Sequence, residues 1–266
     1  MGKFFLMEYT TNSNQSYLMV IETSDYLHRL EANQFNLFTQ KLHNSIYKSL
    51  QKFNGKIIRH NDNTYLVSFK SVTNAVLCAL KIQSNFKYIT PKFDTSIRKF
   101  KVGIAQLNTI KEAELLATRM CEVIKDPIVI TSEIKKYYET ENRNTFINKE
   151  HIRTLSLSEE QFLITLMDFV ETVWNDSNFS IDKLSKPLKY STSQVYRKII
   201  ALTGNPPSVF IKNFRLNRAL NLIHKHKGNI TDIARQTGFK SATYFSKCFK
   251  DKFGVTPKTY SKQHAI

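Results

Sequence analysis

The chain has 266 residues, enough at about 150 residues per domain for two domains that each bury a core. Lys and Arg number 39 against 22 Asp and Glu, a net charge of +17, while 41% of residues are hydrophobic and 12% aromatic. Wholesale disorder is excluded, because it pairs high charge with few apolar residues. The three cysteines (Cys78, Cys121, Cys248) are odd in number, widely spaced and without a C-x-x-C, so they indicate neither a disulfide framework nor a zinc site. His224 and His226, two apart, would point to different sides of a helix, and the histidines show no metal-ligand spacing. No apolar run approaches the ~18 residues of a membrane span, and the opening MGKFFLMEYTTNSNQ lacks the length and cleavage site of a secretory signal. The expectation is a cytoplasmic protein with no membrane partner, cofactor or metal.

In chain order, Tyr17 to Glu22 reads as a strand, and Phe35, Phe38, Leu42, Ile46, Leu50 and Phe53 line one face of a long helix. Lys56 to Arg59 and Tyr65 to Phe69 make two strands about a turn containing Asn61, Asp62 and Asn63, and Thr73 to Phe86 is a second helix. Phe100 to Leu107 is a strand, Lys111 to Glu122 a helix and Ile128 to Thr131 a last short strand. The order strand, helix, strand, strand, helix, strand is that of an α+β, ferredoxin-like sandwich. The segments GKIIRHNDNTYLVSFKSVTNAVLCALKIQ, FKVGIAQL and ELLATRMCEVIKDPIVITSEI resemble the class III nucleotidyl cyclase homology domain over most of residues 16–137.

That resemblance implies a degenerate site. Its first metal carboxylate falls on Glu22 and its second on Asn63, with Asp62 displaced by one place to the opposite strand face. Its transition-state Asn falls on Leu115, and its Arg on Arg119. Two-metal phosphoryl chemistry needs paired carboxylates, and an amide supplies no charge. The N-terminal half therefore reads as a cyclase-like sensory or dimerisation domain with no catalytic residues, and the chain as no enzyme.

Residues 139–161 are polar and read as a connection ending in a capping box of Ser158 with Gln161. This divides the chain into residues 1–140, a linker at 141–160 and a helical domain at 161–266, where Phe162, Leu163, Leu166, Phe169, Val170, Val173 and Trp174 begin a helical stripe.

The helical half contains one motif twice. Ser180, Ile181, Leu184 and Ser185 match Asn229, Ile230, Ile233 and Ala234, and after a one-residue slip Ser191, Val195, Arg197, Ile199 and Gly204 match Ser241, Phe245, Lys247, Phe249 and Gly254. Each copy is a short helix, a turn and a second helix: Ser180, Asn229, Ser191 and Ser241 are placed to cap, and Gly204 and Gly254 to stop. This is helix-turn-helix grammar, in which the second helix enters a DNA major groove. Pro187 should shorten or kink the first helix of unit one. Val195, Ile199 and Leu202 turn inward in one second helix and Phe245, Phe249 and Phe253 in the other. Thr192, Ser193, Tyr196 and Arg197, with Ala242, Thr243, Ser246 and Lys247, are left on the outer faces.

Between the copies, Asn205 can cap a helix with Pro206 and Pro207 in its first turn and a stripe of Phe210, Phe214, Leu220 and Ile223. Its bases Lys212, Arg215, Arg218, Lys225 and Lys227 are candidates for contact with DNA backbone. The strings VYRKIIALTGNPP and DIARQTGFKSATYFSKCFKDKFGVTPKTY make residues 162–264 resemble the DNA-binding domain of AraC/XylS-type transcription regulators, with two helix-turn-helix units on one linking helix. By that resemblance, DNA is contacted by Thr192, Ser193, Tyr196, Arg197, Ala242, Thr243, Ser246 and Lys247. From Asn178 onward, 17 bases face three acids, a local charge of +14. The expected function is sequence-specific regulation of transcription, with double-stranded DNA as partner and a small-molecule effector at the N-terminal domain and a homodimer as candidates. The rivals are a DNA-tethered nucleotidyl cyclase and a nonspecific nucleic-acid binder.

Overall fold

The computed structural model describes residues 16–23, 32–61, 63–89, 100–143 and 145–263. Its N-terminal half is a mixed sheet with helices. The elements run β1 (Tyr17–Thr23), α1 (Ala32–Lys52), β2 (Lys56–His60), β3 (Thr64–Phe69), α2 (Val72–Ile89), β4 (Phe100–Ala105), α3 (Ile110–Val123), β5 (Ile128–Ile130), α4 (Ser132–Glu141) and β6 (Arg153–Thr154). The sheet order is β2-β3-β1-β4-β5-β6, antiparallel among the first four strands and parallel from β4 to β6. The first four strands have the split βαβ arrangement expected from the sequence, and β5 and β6 extend it.

Both faces of this sheet are covered, so β1 reads YLMVIET with almost no polar alternation. Met19 and Ile21 face a core shared with Leu42 and Ile46 of α1, Val76 and Ala79 of α2 and Ile134 of α4. Leu18 and Val20 face the opposite way, toward Leu116, Ala117 and Met120 of α3. Gly103 makes that second layer fit: a Cβ there would lie 2.3 Å from the Ala117 carbonyl oxygen, so α3 rests directly on the backbone of β4. In the β2–β3 turn, Asn61 Oδ1 accepts from the N–H groups of Asn63 and Thr64. Asp62 and the side chains of Phe35 and Phe38 lie outside the described residues.

The stretch read as a polar connection contributes to this sheet. Thr131 caps α4, Ile134 and Tyr138 bury against the core, and β6 pairs with β5 while Ile147, Ile152 and Leu155 bury beside it. Short apolar anchors among charged residues carry too little periodicity to reveal a ten-residue helix or a two-residue strand. Helix α5 (Leu157–Val173) starts one residue ahead of Ser158, and its capping box is Ser156 with Glu159 rather than Ser158 with Gln161.

The remaining helices are α6 (Asp182–Leu188), α7 (Thr192–Thr203), α8 (Pro207–His224), α9 (Ile230–Gln236), α10 (Ala242–Phe253) and α11 (Pro257–Gln263). Ser191 forms a capping box with Gln194, Ser241 accepts from the Tyr244 N–H, and Gly204 and Gly254 end α7 and α10 at φ 71° and 78°. Three local expectations change. Ser180 makes no side-chain cap because α6 starts later, behind Ile181. Asn205 bonds back to Thr203, leaving Pro206 at the N-cap of α8. Pro187 falls in the last turn of α6, which at seven residues matches α9, so the helix is not shortened.

Helices α5 to α8 close over the α3 face of the sheet: Phe162, Leu163, Leu166, Leu184, Val195, Ile199, Leu202 and Phe210 share one core with Leu18, Val20 and α3. Unit two keeps a separate core built on Phe245, Phe249, Phe253, Ile233 and Tyr260. Polar contacts fasten the first junction. The Arg119 guanidinium, almost fully buried, reaches Asp168 at 2.5 Å and donates to the Ile164 carbonyl at 3.3 Å. Glu160 Oε1 accepts from the N–H and hydroxyl of Ser132 at 2.8 and 2.9 Å, placing a carboxylate at the N-terminus of α4. Burial pushes the Glu160 carboxyl up against those hydrogen bonds.

Candidate nucleic-acid interface

Helices α7 and α10 carry the outward residues. Val195, Ile199 and Leu202 of α7 are at most 2% exposed, as are Phe245 and Phe249 of α10, with Phe253 at 4%. The three phenylalanines step along α10 with ring centroids 5.7 and 4.6 Å apart, filling the space beneath the helix. The opposite faces present Thr192, Ser193, Tyr196 and Arg197 to solvent on α7, and Thr243 and Lys247 on α10. Thr192 is held by its hydroxyl, 3.0 Å from that of Ser185 in α6. Ala242 and Ser246 are half-buried, and Ala242 packs against the unit-two core, leaving it less surface than its neighbours. Among the described residues Arg197 and Lys247 form no ion pair, so each charge is available to an external anion. Tyr244, 54% exposed beside Thr243, is a further outward residue that the sequence reading left out. Its neighbour Phe245 dominated the pattern, and only the helix phase separates the two.

The bases of α8 and of the turn after it divide by role. Arg215 is a clamp: its guanidinium donates to the carbonyls of Trp174 at 2.6 Å, Asp176 at 2.7 Å and Gly238 at 3.1 Å, joining the end of α5 to the turn of unit two. Burial lowers its pKa. Arg218 pairs with Glu171 at 3.3 Å and Glu122 at 3.7 Å. Lys212, Lys225 and Lys227 form no ion pair among the described residues. Lys198, although on α7, lies over the rings of Tyr190 and Phe162 at 4.7 and 5.4 Å and seals the core. Helix α8 has 18 residues, about 27 Å at 1.5 Å per residue.

The positions aligned with a cyclase site are put to other uses. Glu22 stands opposite Lys101 in the β1–β4 register. The Lys101 ammonium donates to the carbonyls of Ile124, Lys125 and Asp126 at 2.6, 2.6 and 3.0 Å, clasping the turn after α3. The Lys125 N–H in turn donates to the Leu202 carbonyl at the end of α7, at 2.9 Å. Leu115 is 47% exposed, and Arg119 is turned to Asp168. Among the described residues no three His, Cys, Asp or Glu side chains gather into a group that could hold a metal, and no helix is long and apolar enough to cross a membrane.

A helix-turn-helix domain family matches residues 184–263. Histidine kinase P4 of Formosa agariphila is 28% identical over 96% of this chain, which covers 19% of that protein. The HTH-type transcriptional regulator MtrA of Neisseria gonorrhoeae is 31% identical over 37% of this chain and 31% of its own length. The chain thus spans under a third of the length of these curated relatives. Among solved structures, a transcriptional regulator from Chromobacterium violaceum described as containing an AraC-type DNA-binding domain is 27% identical, covering 40% of this chain and 94% of that one with a TM-score of 0.37. The duplicated motif, its paired caps and stops and the family match agree that residues 184–263 of this chain are a helix-turn-helix domain.

Proposed function

We propose that the chain is a sequence-specific transcription regulator that reads two successive major grooves with α7 and α10 and is controlled through its N-terminal domain. The observation that carries this reading is the repeated placement of a base without an ion pair among the described residues, Arg197 and Lys247, beside short polar side chains on the outer face of each second helix. Thr192, Ser193, Tyr196, Arg197, Ala242, Thr243, Ser246 and Lys247 are the proposed contacts: the bases meet phosphate or guanine edges, and the hydroxyls meet phosphates or base edges. An α8 of about 27 Å is of the length needed to set two readers near the ~34 Å repeat of the major groove. The local charge of +14 supplies the phosphate attraction.

In this reading residues 1–140 are a sensory or dimerising receiver, cyclase-like in shape but not an enzyme, and residues 161–266 are the reader. Control passes through the clasped turn: Lys101 fixes the carbonyls of residues 124–126, and Lys125 caps the C-terminal end of α7. A ligand or partner that shifts Lys101 therefore acts on the first reading helix by way of a backbone hydrogen bond. The shared core between the sheet and unit one supports this coupling, since packed layers respond to displacement as a body.

The test is to recover and sequence genomic DNA bound by the tagged chain, then titrate the purified protein against the enriched site and scrambled DNA at several salt concentrations. A ratio of at least 10³ between the two is expected. Equal affinities that fade together with salt would mean charge-driven binding alone. Production of cyclic nucleotide from ATP or GTP with Mg or Mn would restore the enzyme reading of the N-terminal half.

A further inference from the structure

A cleft of about 650 Å³ lies between the two helix-turn-helix units. Its walls come from the segment ahead of α6 (Phe179, Ile181), the first half of α8 (Val209, Ile211) and the turn of unit two (Phe239), and both Tyr196 of α7 and Tyr244 of α10 stand on it. The volume falls within the usual range for small-molecule sites, which are mostly apolar with a few converging polar groups. Lys212, Arg215 and Lys240 line it and no acidic residue does. Lys212 and Lys240 form no ion pair among the described residues. Arg215 satisfies its donors on three main-chain carbonyls and feels the charge of Asp176, so it adds positive field rather than a free partner. An apolar floor beneath two lysines without an ion pair among the described residues is complementary to one chemical class.

We infer that this cleft binds a small amphipathic organic anion, an aromatic or medium-chain carboxylate whose apolar body lies on Phe179, Ile211 and Phe239 while its charge meets Lys212 and Lys240. The site is separate from any effector site of the N-terminal half. Its occupant sits between the two second helices, against Tyr196, Tyr244 and the Ser241 cap of α10. Ligand and DNA therefore exclude each other, a consequence that rests on α7 and α10 being the DNA readers.

The chain has a single tryptophan, Trp174, whose carbonyl is held by Arg215, so its fluorescence reports on the cleft. The full chain is titrated with dodecanoate below its micellar range, with dodecanol and dodecylamine as neutral and cationic matches. Saturable binding of one dodecanoate per chain is expected, at least tenfold tighter than either match and weakened at least tenfold by Lys212→Glu or Lys240→Glu. A second variant, Val209→Phe, fills the apolar floor without adding a tryptophan and should abolish binding while the circular dichroism spectrum is retained. Equal binding of all three headgroups, no saturable binding, or lysine variants that bind as the parent does would each overturn the site. If dodecanoate binds but fails to displace cognate DNA, the exclusion is refuted. If the unliganded chain selects no DNA sequence, the DNA reading fails and the ligand site stands.

Discussion

Replacing Arg215 by Met tests whether one side chain locks the two reading units together. Met keeps the stem that packs along α8 and removes every donor, leaving the carbonyls of Trp174, Asp176 and Gly238 without their shared partner. A hydrogen bond from a charged donor is worth about 1.5–3 kcal/mol. The three bonds share one group, and removing it also relieves the cost of holding a guanidinium half out of water, so a net loss of about 2–4 kcal/mol is expected. Urea unfolding of the full chain followed by Trp174 fluorescence measures it, because the tryptophan adjoins the broken contact. The functional consequence is separate. A duplex bearing both half-sites should lose at least tenfold in affinity, about 1.4 kcal/mol, because the two readers no longer hold a fixed spacing. A duplex with one half-site should bind nearly as before. A stability change under about 0.5 kcal/mol, within the ordinary range of surface substitutions, together with unchanged affinity for the double site, would refute the clamp.

Arg197→Ala and Lys247→Ala should each weaken cognate DNA by about 1–3 kcal/mol and relax preference at one base pair if the side chain reads a base. A loss equal on every sequence, with the salt slope reduced by about one, would assign that residue to phosphate, and no loss would remove it from the interface. Gly103→Ala places a Cβ 2.3 Å from the Ala117 carbonyl and must lift α3 from β4, at about 1–3 kcal/mol or more in a denaturant titration. A neutral result would mean that α3 does not rest on that strand. Burial pushes the Glu122 carboxyl above its ordinary 4.5, outweighing Arg218 beside it. The folded state thus takes up this proton at higher pH than the unfolded chain does, and stability at this site falls as pH rises from 4.5 through the raised folded value. Urea midpoints between pH 4.5 and 7.5 should accordingly depend less on pH in Glu122→Gln than in the parent, and equal slopes would count against the assignment.

The helical half was legible because each of its signals is local. A serine that can bond the amide three residues on, a glycine where the chain must turn left-handed and three apolar residues on one face all act within a single helix, and the duplication stated each of them twice. Ser191, Ser241, Gly204 and Gly254 fall where these rules put them. The misplaced caps have the same origin: Ser180, Asn205 and Ser158 each satisfy a local rule, but the helix begins one or two residues away, at a start set by packing. The outer faces of α7 and α10 follow from the inner ones by elimination, which is why Thr192, Ser193, Tyr196, Arg197, Thr243 and Lys247 could be named beforehand.

What the sequence determined by itself, then, is most of the elements, α4 and β6 excepted, and most of the outward residues, because helix phase and strand alternation are written at spacings of two to four residues. Only the tertiary structure decided what the charged groups do. Arg119, Arg215, Arg218 and Arg197 are indistinguishable as letters, yet the first three are bound to Asp168, to main-chain carbonyls and to Glu122 and Glu171, while among the described residues Arg197 has no ion-pair partner. The same holds for the polar stretch at 141–160, whose few apolar anchors become a sheet edge only against a neighbouring strand. A side chain's role as clamp or contact depends on groups at least 23 residues away in the chain, and no short-range pattern encodes that distance.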